Sequence, residues 1–266
     1  MTDGPLVRRI PAWAVLPVLV LGIAGLSFEK SHDLHLASAA AAADMSEDEF
    51  DQRVRNYLLE HPEVIDDAFK RLEAKQREQE TADAKATLKA NAAEVFQDPD
   101  SPVGGNPNGD VTLAEFFDYN CPYCRAMAPL MTQAEAADPK LRIVYKEFPI
   151  LGPNSVFAAK AALAANKQGK YVAFHAALYQ VHGAVDEGKV LETARAVGLD
   201  VDRMRADMQD KAIEGMLEKN GNLAQILNIT GTPGFVAGDQ VTTGATDLNA
   251  LQALIGRARN GNQKTK

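Results

Sequence analysis

Cys121 and Cys124 are the only cysteines of the chain, set in Cys121-Pro-Tyr-Cys124. A loop this short restrains little of the unfolded chain, so the pair is a poor structural staple. Two thiols at this spacing can instead cycle between a dithiol and a reducible disulfide. Where the pair opens a helix, one sulfur is drawn toward the thiolate. The flanks have that form: Val111 to Tyr119 reads as a buried strand, and Arg125 onward reads as a helix. A tetrahedral zinc site needs two further ligands, and no second cysteine pair exists. His175 and His182 read as surface or cap residues, so no metal is expected. Glu115 interrupts the apolar strand. An isolated buried carboxylate is costly, so Glu115 is expected to be neutral or water-linked unless it lies at a solvated sheet edge. Asp118 reads as a solvated or turn residue.

The rest of the chain must position this turn. With 266 residues, 46% of them hydrophobic, it can hold one good core plus accessory segments. A net charge of −8 argues against nucleic-acid binding. Arg8 and Arg9 precede an apolar stretch from Ile10 to Phe28, the pattern of an export signal or a single membrane anchor. Small-residue cleavage sites from Ala37 to Ala43 lie farther along than a signal peptidase site usually does, and both readings stay open. Either one places the remainder outside the cytoplasm. Exported proteins spend cysteines mainly on several structural bridges, so a single pair reads as a working dithiol.

Residues 1–43 thus form a signal or anchor with an alanine-rich linker, and 44–97 form a helical segment. Ser46-Glu-Asp-Glu49 has a capping-box pattern, and Phe50, Val54 and Tyr57 or Leu58 recur at helical spacing. His61-Pro62 interrupts this segment, and the pattern then resumes as a helix to about Phe96, roughly 50 Å long. Residues 46–75 are expected to join copies of the chain into a homo-oligomer; an amphipathic hairpin packed on its own domain is the alternative. Gly104 to Gly109 predicts a tight hairpin-type turn. Beyond it come a strand at 111–119, a helix from 121 to about 137, and a strand at 142–148. A long helical stretch at about 152–228 follows, divided at Gly183, Gly188, Gly198 and Gly221. A hairpin at 234–243 and a last helix from Asp247 to Arg259 close a domain spanning 98–262.

This order resembles the thioredoxin fold, an α/β architecture with helices on both faces of a central sheet. About 112 residues separate Cys121 from Pro233, and that length resembles the DsbA-like branch with its inserted helical domain. Glu115-Phe-Phe-Asp-Tyr-Asn-Cys-Pro-Tyr-Cys124, Tyr145-Lys-Glu-Phe-Pro-Ile-Leu-Gly-Pro-Asn-Ser155 and Gly231-Thr-Pro-Gly-Phe235 are similar to the family's active-site turn, second strand and cis-proline segment. Tyr57-Leu-Leu-Glu-His-Pro-Glu-Val-Ile65 is similar to the N-terminal region of the ScsC relatives. The resemblance implies Cys121 as nucleophile at a helix N-terminus, where unpaired N–H groups favour negative charge on its sulfur. It implies Cys124 as the resolving thiol and Glu115 as carrier of the Cys124 proton. Pro122 and Tyr123 tune the pair, and without the histidine common among strongly oxidising relatives the expectation is a milder oxidant. Thr232 and Pro233 would place a cis peptide opposite the sulfurs and offer backbone to an extended substrate.

The expected activity is thiol–disulfide exchange with protein substrates, needing no organic cofactor and leaning toward isomerase or reductase work. A monomeric oxidase recharged by a membrane redox partner is the rival within this chemistry. Copper tolerance through soft thiolate ligands is the rival of another class, and a holdase using the N-terminal arm is a third.

Overall fold

The computed structural model describes residues 45–264, so the segment 1–43 read as signal or anchor lies outside the described residues. Among the described residues no helix is long and apolar enough to cross a membrane. The chain divides into two compact units, one ending at Lys70 and one beginning at Arg71.

The first unit holds α1 (Glu47–Glu60) and the start of α2 (Glu63–Ala90). Ser46 caps α1 by accepting the Glu49 N–H at 3.3 Å, and three acidic residues in the first turn complement the helix dipole. His61 and Pro62 separate the two helices, as their types require. No residue of α1 is buried, and Phe50, Tyr57 and Phe69 are each more than half exposed. The helix expected to reach Phe96 instead stops at Ala90. The Asn91 side chain donates to the Thr87 carbonyl at 2.8 Å, a local bond that competes with helix continuation, and a short α3 (Ala92–Phe96) follows.

The second unit is built on a five-stranded sheet of order β1-β3-β2-β4-β5. Its strands are β1 (Val103–Gly105), β2 (Val111–Phe117), β3 (Leu141–Glu147), β4 (Gly234–Ala237) and β5 (Gln240–Thr243). The parallel β2–β3 pair is joined through α4 (Pro122–Ala137), while the other neighbours run antiparallel. The hairpin expected around Gly104–Gly109 does not form between sequence neighbours. Asn106 binds the Leu141 and Pro139 carbonyls, which ties the turn to β3, so β1 pairs with β3 and the chain crosses to β2 on its far side.

Both faces of β2 and β3 are covered, which explains their nearly continuous apolar text. One face, with Leu113, Phe117, Ile143 and Tyr145, belongs to a core shared with α4 and the helices inserted after β3. The other, with Ala114, Phe116 and Val144, packs on Leu88, Val95 and Leu223. On that second face Lys146, fully buried, donates to the Glu94 carbonyl at 2.7 Å and to Ser101 at 2.9 Å, and lies 3.3 Å from Asp98.

Five helices lie between β3 and β4: α5 (Pro153–Lys167), α6 (Tyr171–Tyr179), α7 (Glu187–Ala196), α8 (Val201–Asp207) and α9 (Lys211–Ile226). Gly183 and Gly198 fall between helices, but Gly188 and Gly221 lie inside α7 and α9 and divide nothing. At Gly198 a φ of 72° lets Leu199 N–H reach the Ala194 carbonyl, a left-handed helix stop. At Gly188 the Asp186 cap, accepting from Lys189 N–H at 3.0 Å, outweighs a glycine penalty of about 1 kcal/mol. The last helix, α10 (Leu248–Lys264), runs beyond Arg259, and Asp247 caps it by accepting from Ala250 N–H at 2.8 Å.

Candidate active site

The site forms where β2 ends and α4 begins. Asp118 makes the turn: its Oδ1 accepts from Asn120 N–H at 2.8 Å and its backbone carbonyl accepts from Cys121 N–H at 3.0 Å. Its Oδ2 accepts from the N–H groups of Ile150 and Leu151, both at 2.9 Å. Asp118 is therefore a turn residue, but it is 1% exposed rather than solvated, because it fastens the 150–151 loop against the site. Asn120 fastens a second segment by exchanging bonds with the backbone of Val185 at 2.8 and 3.2 Å. Arg125, in the first turns of α4, donates to the carbonyls of Tyr179, Val181 and Gly183 and so clamps the stretch after α6.

Cys121 stands at the N-cap of α4 and makes no capping hydrogen bond with its side chain, so its sulfur lies at a helix end whose first N–H groups have no partner within the helix. Pro122 takes the first helical position, where its missing N–H costs nothing. Both cysteines are free thiols and buried, Cys121 4% exposed and Cys124 not at all. The Cys121 thiol donates to the Thr232 carbonyl at 3.2 Å, and the Thr232–Pro233 peptide is cis. Thr232 and Pro233, 111 and 112 positions further along the chain, thus face the sulfur. Gly234 follows for want of space: a Cβ there would lie 2.6 Å from Ile229 Cγ2. Tyr123 is 64% exposed, and with Ile150 and Leu151 it gives the rim of the site an apolar character.

Burial pushes the Cys124 thiol well above the range of a free cysteine, and the nearby Cys121 and Glu115 add to the shift. Glu115, 2% exposed on β2, pairs in register with Tyr145 of β3 and Phe235 of β4, so it is in mid-sheet rather than at an edge. Burial raises its carboxyl from 4.5 to about 8. Glu115 lines a cleft of about 330 Å³ between α4 and α6, whose walls include Pro129, Thr132, Val172 and Gln180. A group that titrates near neutrality beneath a buried thiol, with a cleft beside it, is suited to take a proton and pass it to solvent.

His175 contradicts its reading as a surface or cap residue. It is 8% exposed, ringed by Phe117, Tyr145 and Tyr179 at centroid distances of 4.5–5.0 Å, and burial holds it neutral by lowering its value to about 3. His182 is exposed as expected. Among the described residues no cluster of three or more His, Cys, Asp or Glu could hold a metal. Sequence reasoning missed the fastening roles of Asp118, Asn120 and Arg125, for which polar residues flanking the cysteine turn were the available signal.

A DSBA-like thioredoxin domain matches over residues 112–256, and the copper resistance protein ScsC N-terminal domain matches over 47–79. Among solved structures, the chain is similar to a thioredoxin-like oxidoreductase from Silicibacter pomeroyi DSS-3 at 48% identity and a TM-score of 0.62, covering 63% of this chain and 97% of that one. It is similar to the thiol-disulfide exchange protein alpha-DsbA2 from Wolbachia pipientis at 30% identity and a TM-score of 0.63, covering 67% and 97%. A curated relative, a Na(+)/H(+) antiporter NhaA 3 of Salinispora tropica, is 29% identical over 161 residues, 59% of this chain and 25% of that protein. The chain thus spans about a quarter of the length of the first curated relatives it matches. The match over 112–256 takes in the cysteine turn and the Thr232-Pro233 segment: the chain belongs to the DSBA-like thioredoxin domain family, with an ScsC-type N-terminal region.

Proposed function

We propose that this chain is an exported thiol–disulfide oxidoreductase that exchanges disulfides with protein substrates through Cys121. The observation that carries the reading is the Cys121 thiol at a helix N-terminus, 3.2 Å from the Thr232 carbonyl, over the buried Cys124 and the proton-holding Glu115. In the reductive direction the Cys121 thiolate attacks a substrate disulfide. A Cys121–substrate mixed disulfide forms, and the first substrate sulfur leaves as a thiolate that takes up a proton. Glu115 first releases its own proton to solvent through the cleft; Cys124 then gives its proton to the ionised Glu115 and attacks the Cys121 sulfur. The intramolecular disulfide closes, and the second substrate thiolate is released with both electrons on the substrate. Oxidation of a substrate dithiol is the reverse. In isomerisation a second substrate thiol attacks the mixed disulfide before Cys124 does, and Cys121 leaves reduced.

Backbone at Thr232 offers strand-like pairing to an extended substrate, and the apolar rim at Tyr123, Ile150 and Leu151 suits unfolded segments. Pro122 and Tyr123 tune the pair. An isomerase or reductase direction is favoured by Tyr123 where a cation would strengthen oxidation, by Thr232, and by the exposed Phe50, Tyr57 and Phe69 of an arm that would join copies through residues 46–75. The leader pattern at 8–28 supports an extracytoplasmic location, with a membrane redox partner resetting the pair. Insulin reduction and refolding of scrambled ribonuclease test the direction: rapid dithiol oxidation with no reshuffling removes the isomerase reading.

The ScsC-type match over 47–79 favours one second reading, Cu(I) held by the two thiolates. Failure of the reduced protein to bind Cu(I) tightly removes it.

A further inference from the structure

A second buried carboxyl lies on the same sheet face as Glu115 and takes no part in the exchange described above. Glu147 ends β3; its Oε1 accepts from Tyr171 OH at 2.7 Å and from Tyr119 OH at 3.1 Å. Tyr119 OH is also 3.1 Å from His175 Nδ1, so a hydrogen-bonded chain runs Tyr171–Glu147–Tyr119–His175. His175 lines the same α4–α6 cleft as Glu115. The chain therefore ends at the cleft that Glu115 also lines.

The register sets the spacing of the two carboxyls. Glu115 is opposite Tyr145 and Phe117 is opposite Glu147, so the carboxyls occupy diagonal positions on one face. Glu147 Oε2 is buried without a hydrogen-bond partner, an unfavourable place for half of an anionic charge. The groups around it add little positive potential. From β2 and the turn after it come Glu115, Asp118 and Tyr119. From α6 come Tyr171, His175 and Tyr179, the last with a buried, unpaired hydroxyl. Tyr145 is its neighbour on β3, and Asn220 of α9 bonds only its backbone carbonyl. From α4 come Cys124 and Arg125, whose guanidinium is committed to backbone carbonyls. Burial, with repulsion from Asp118 and Glu115, holds the Glu147 carboxyl well above the usual range against the opposing pull of its two tyrosine donors.

We propose that Glu147, caged by Tyr119 and Tyr171 and linked through Tyr119 to His175 at the cleft, is a second proton-holding carboxyl of the redox centre and a positioning residue for Glu115. While Glu147 stays neutral, Glu115 is the group free to bear the negative charge that accepts the Cys124 proton. The role rests on the exchange function proposed above, but its test does not read exchange.

Infrared spectroscopy of the reduced full chain counts protonated buried carboxyls. At pH 7 the wild type is expected to show two such C=O bands, one lost in E115Q and the other in E147Q. Two unit charges about 8 Å apart at an effective dielectric constant near 20 displace one another by about 1.5 pH units. The Glu147 band should therefore vanish about 1.5 pH units lower in E115Q than in the wild type. Y119F, which removes one donor, should move it higher. Loss of no band in E147Q, or a Glu147 band with the same pH dependence in wild type and E115Q, overturns the proposal. Should E147Q fail to fold, E115Q and Y119F keep the carboxyl and decide by the shifts alone. A chain without exchange activity that still shows these shifts would refute the proposed function and leave the coupling of the two buried carboxyls standing.

Discussion

Replacing Glu115 by glutamine should give the reduced protein a stability advantage over wild type that grows as pH rises, although it removes the carboxyl proposed to take the Cys124 proton. The buried carboxyl is raised from 4.5 to about 8, so between those values the folded state holds a proton that the unfolded state has released. Where the folded state binds more protons, stability falls with rising pH. The protonated carboxyl is tolerated without penalty below about pH 4.5, and the loss proceeds through about pH 8, beyond which it levels off. The slope within that window is about 1.4 kcal/mol per pH unit, and the full penalty at alkaline pH is about 5 kcal/mol. Glutamine has nearly the same shape and no charge to bury, so E115Q loses this slope while keeping every other titrating group. Urea denaturation of reduced wild type and E115Q at intervals from pH 5 to pH 9 reads the difference. It should grow steadily in favour of the variant, reaching about 3 kcal/mol at pH 7. Parallel stability curves across that range would refute the burial argument for Glu115, whatever the activity did.

Other expectations follow from the same contacts. K146M leaves Asp98, 1% exposed on its side chain, with Lys219 as its only cation among the described residues, and should cost about 3–5 kcal/mol in urea denaturation; a loss below about 1 kcal/mol contradicts the buried pair. D118A removes the acceptor of three backbone N–H groups at 2.8–2.9 Å, and should cost about 2–4 kcal/mol while slowing exchange through a loosened 150–151 loop; unchanged stability and rate contradict its fastening role. Light scattering of the chain from Met45 should give an oligomer, and removal of residues to Lys70 should give a monomer. A monomer in both forms would remove the exposed arm as an argument for isomerisation.

Much of the site was legible because its parts are local or carry a backbone signature. The cysteine turn needs only a strand, a helix and the four residues between them, all adjacent in sequence. Glu115 stood out because a carboxyl in an apolar strand has few physical explanations. Thr232-Pro233 could be placed only through the family resemblance, since nothing local says that a peptide 111 residues away will face Cys121. The tyrosine cage around Glu147 was not legible for the same reason: Tyr119, Glu147, Tyr171 and His175 come from three elements, and each alone reads as an ordinary residue. His175 shows the limit most clearly, because its burial depends on how α6 lies against β2 and β3. In the fold, the misjudged pieces were those where a side-chain bond overrides a pattern. Asn91 breaks a helix that has no glycine or proline at that point, and Asn106 pins a turn to a distant strand.

The central claim is that Cys121 carries the exchange and Cys124 resolves it. Intact-mass measurement of C124A and C121A, each incubated with a peptide containing one activated disulfide, tests this directly. C124A should accumulate one stable peptide adduct, mapped to Cys121, and C121A should remain largely unmodified because Cys124 is fully buried and holds its proton tightly. Equal labelling of the two variants, or adducts only on Cys124, would contradict the account.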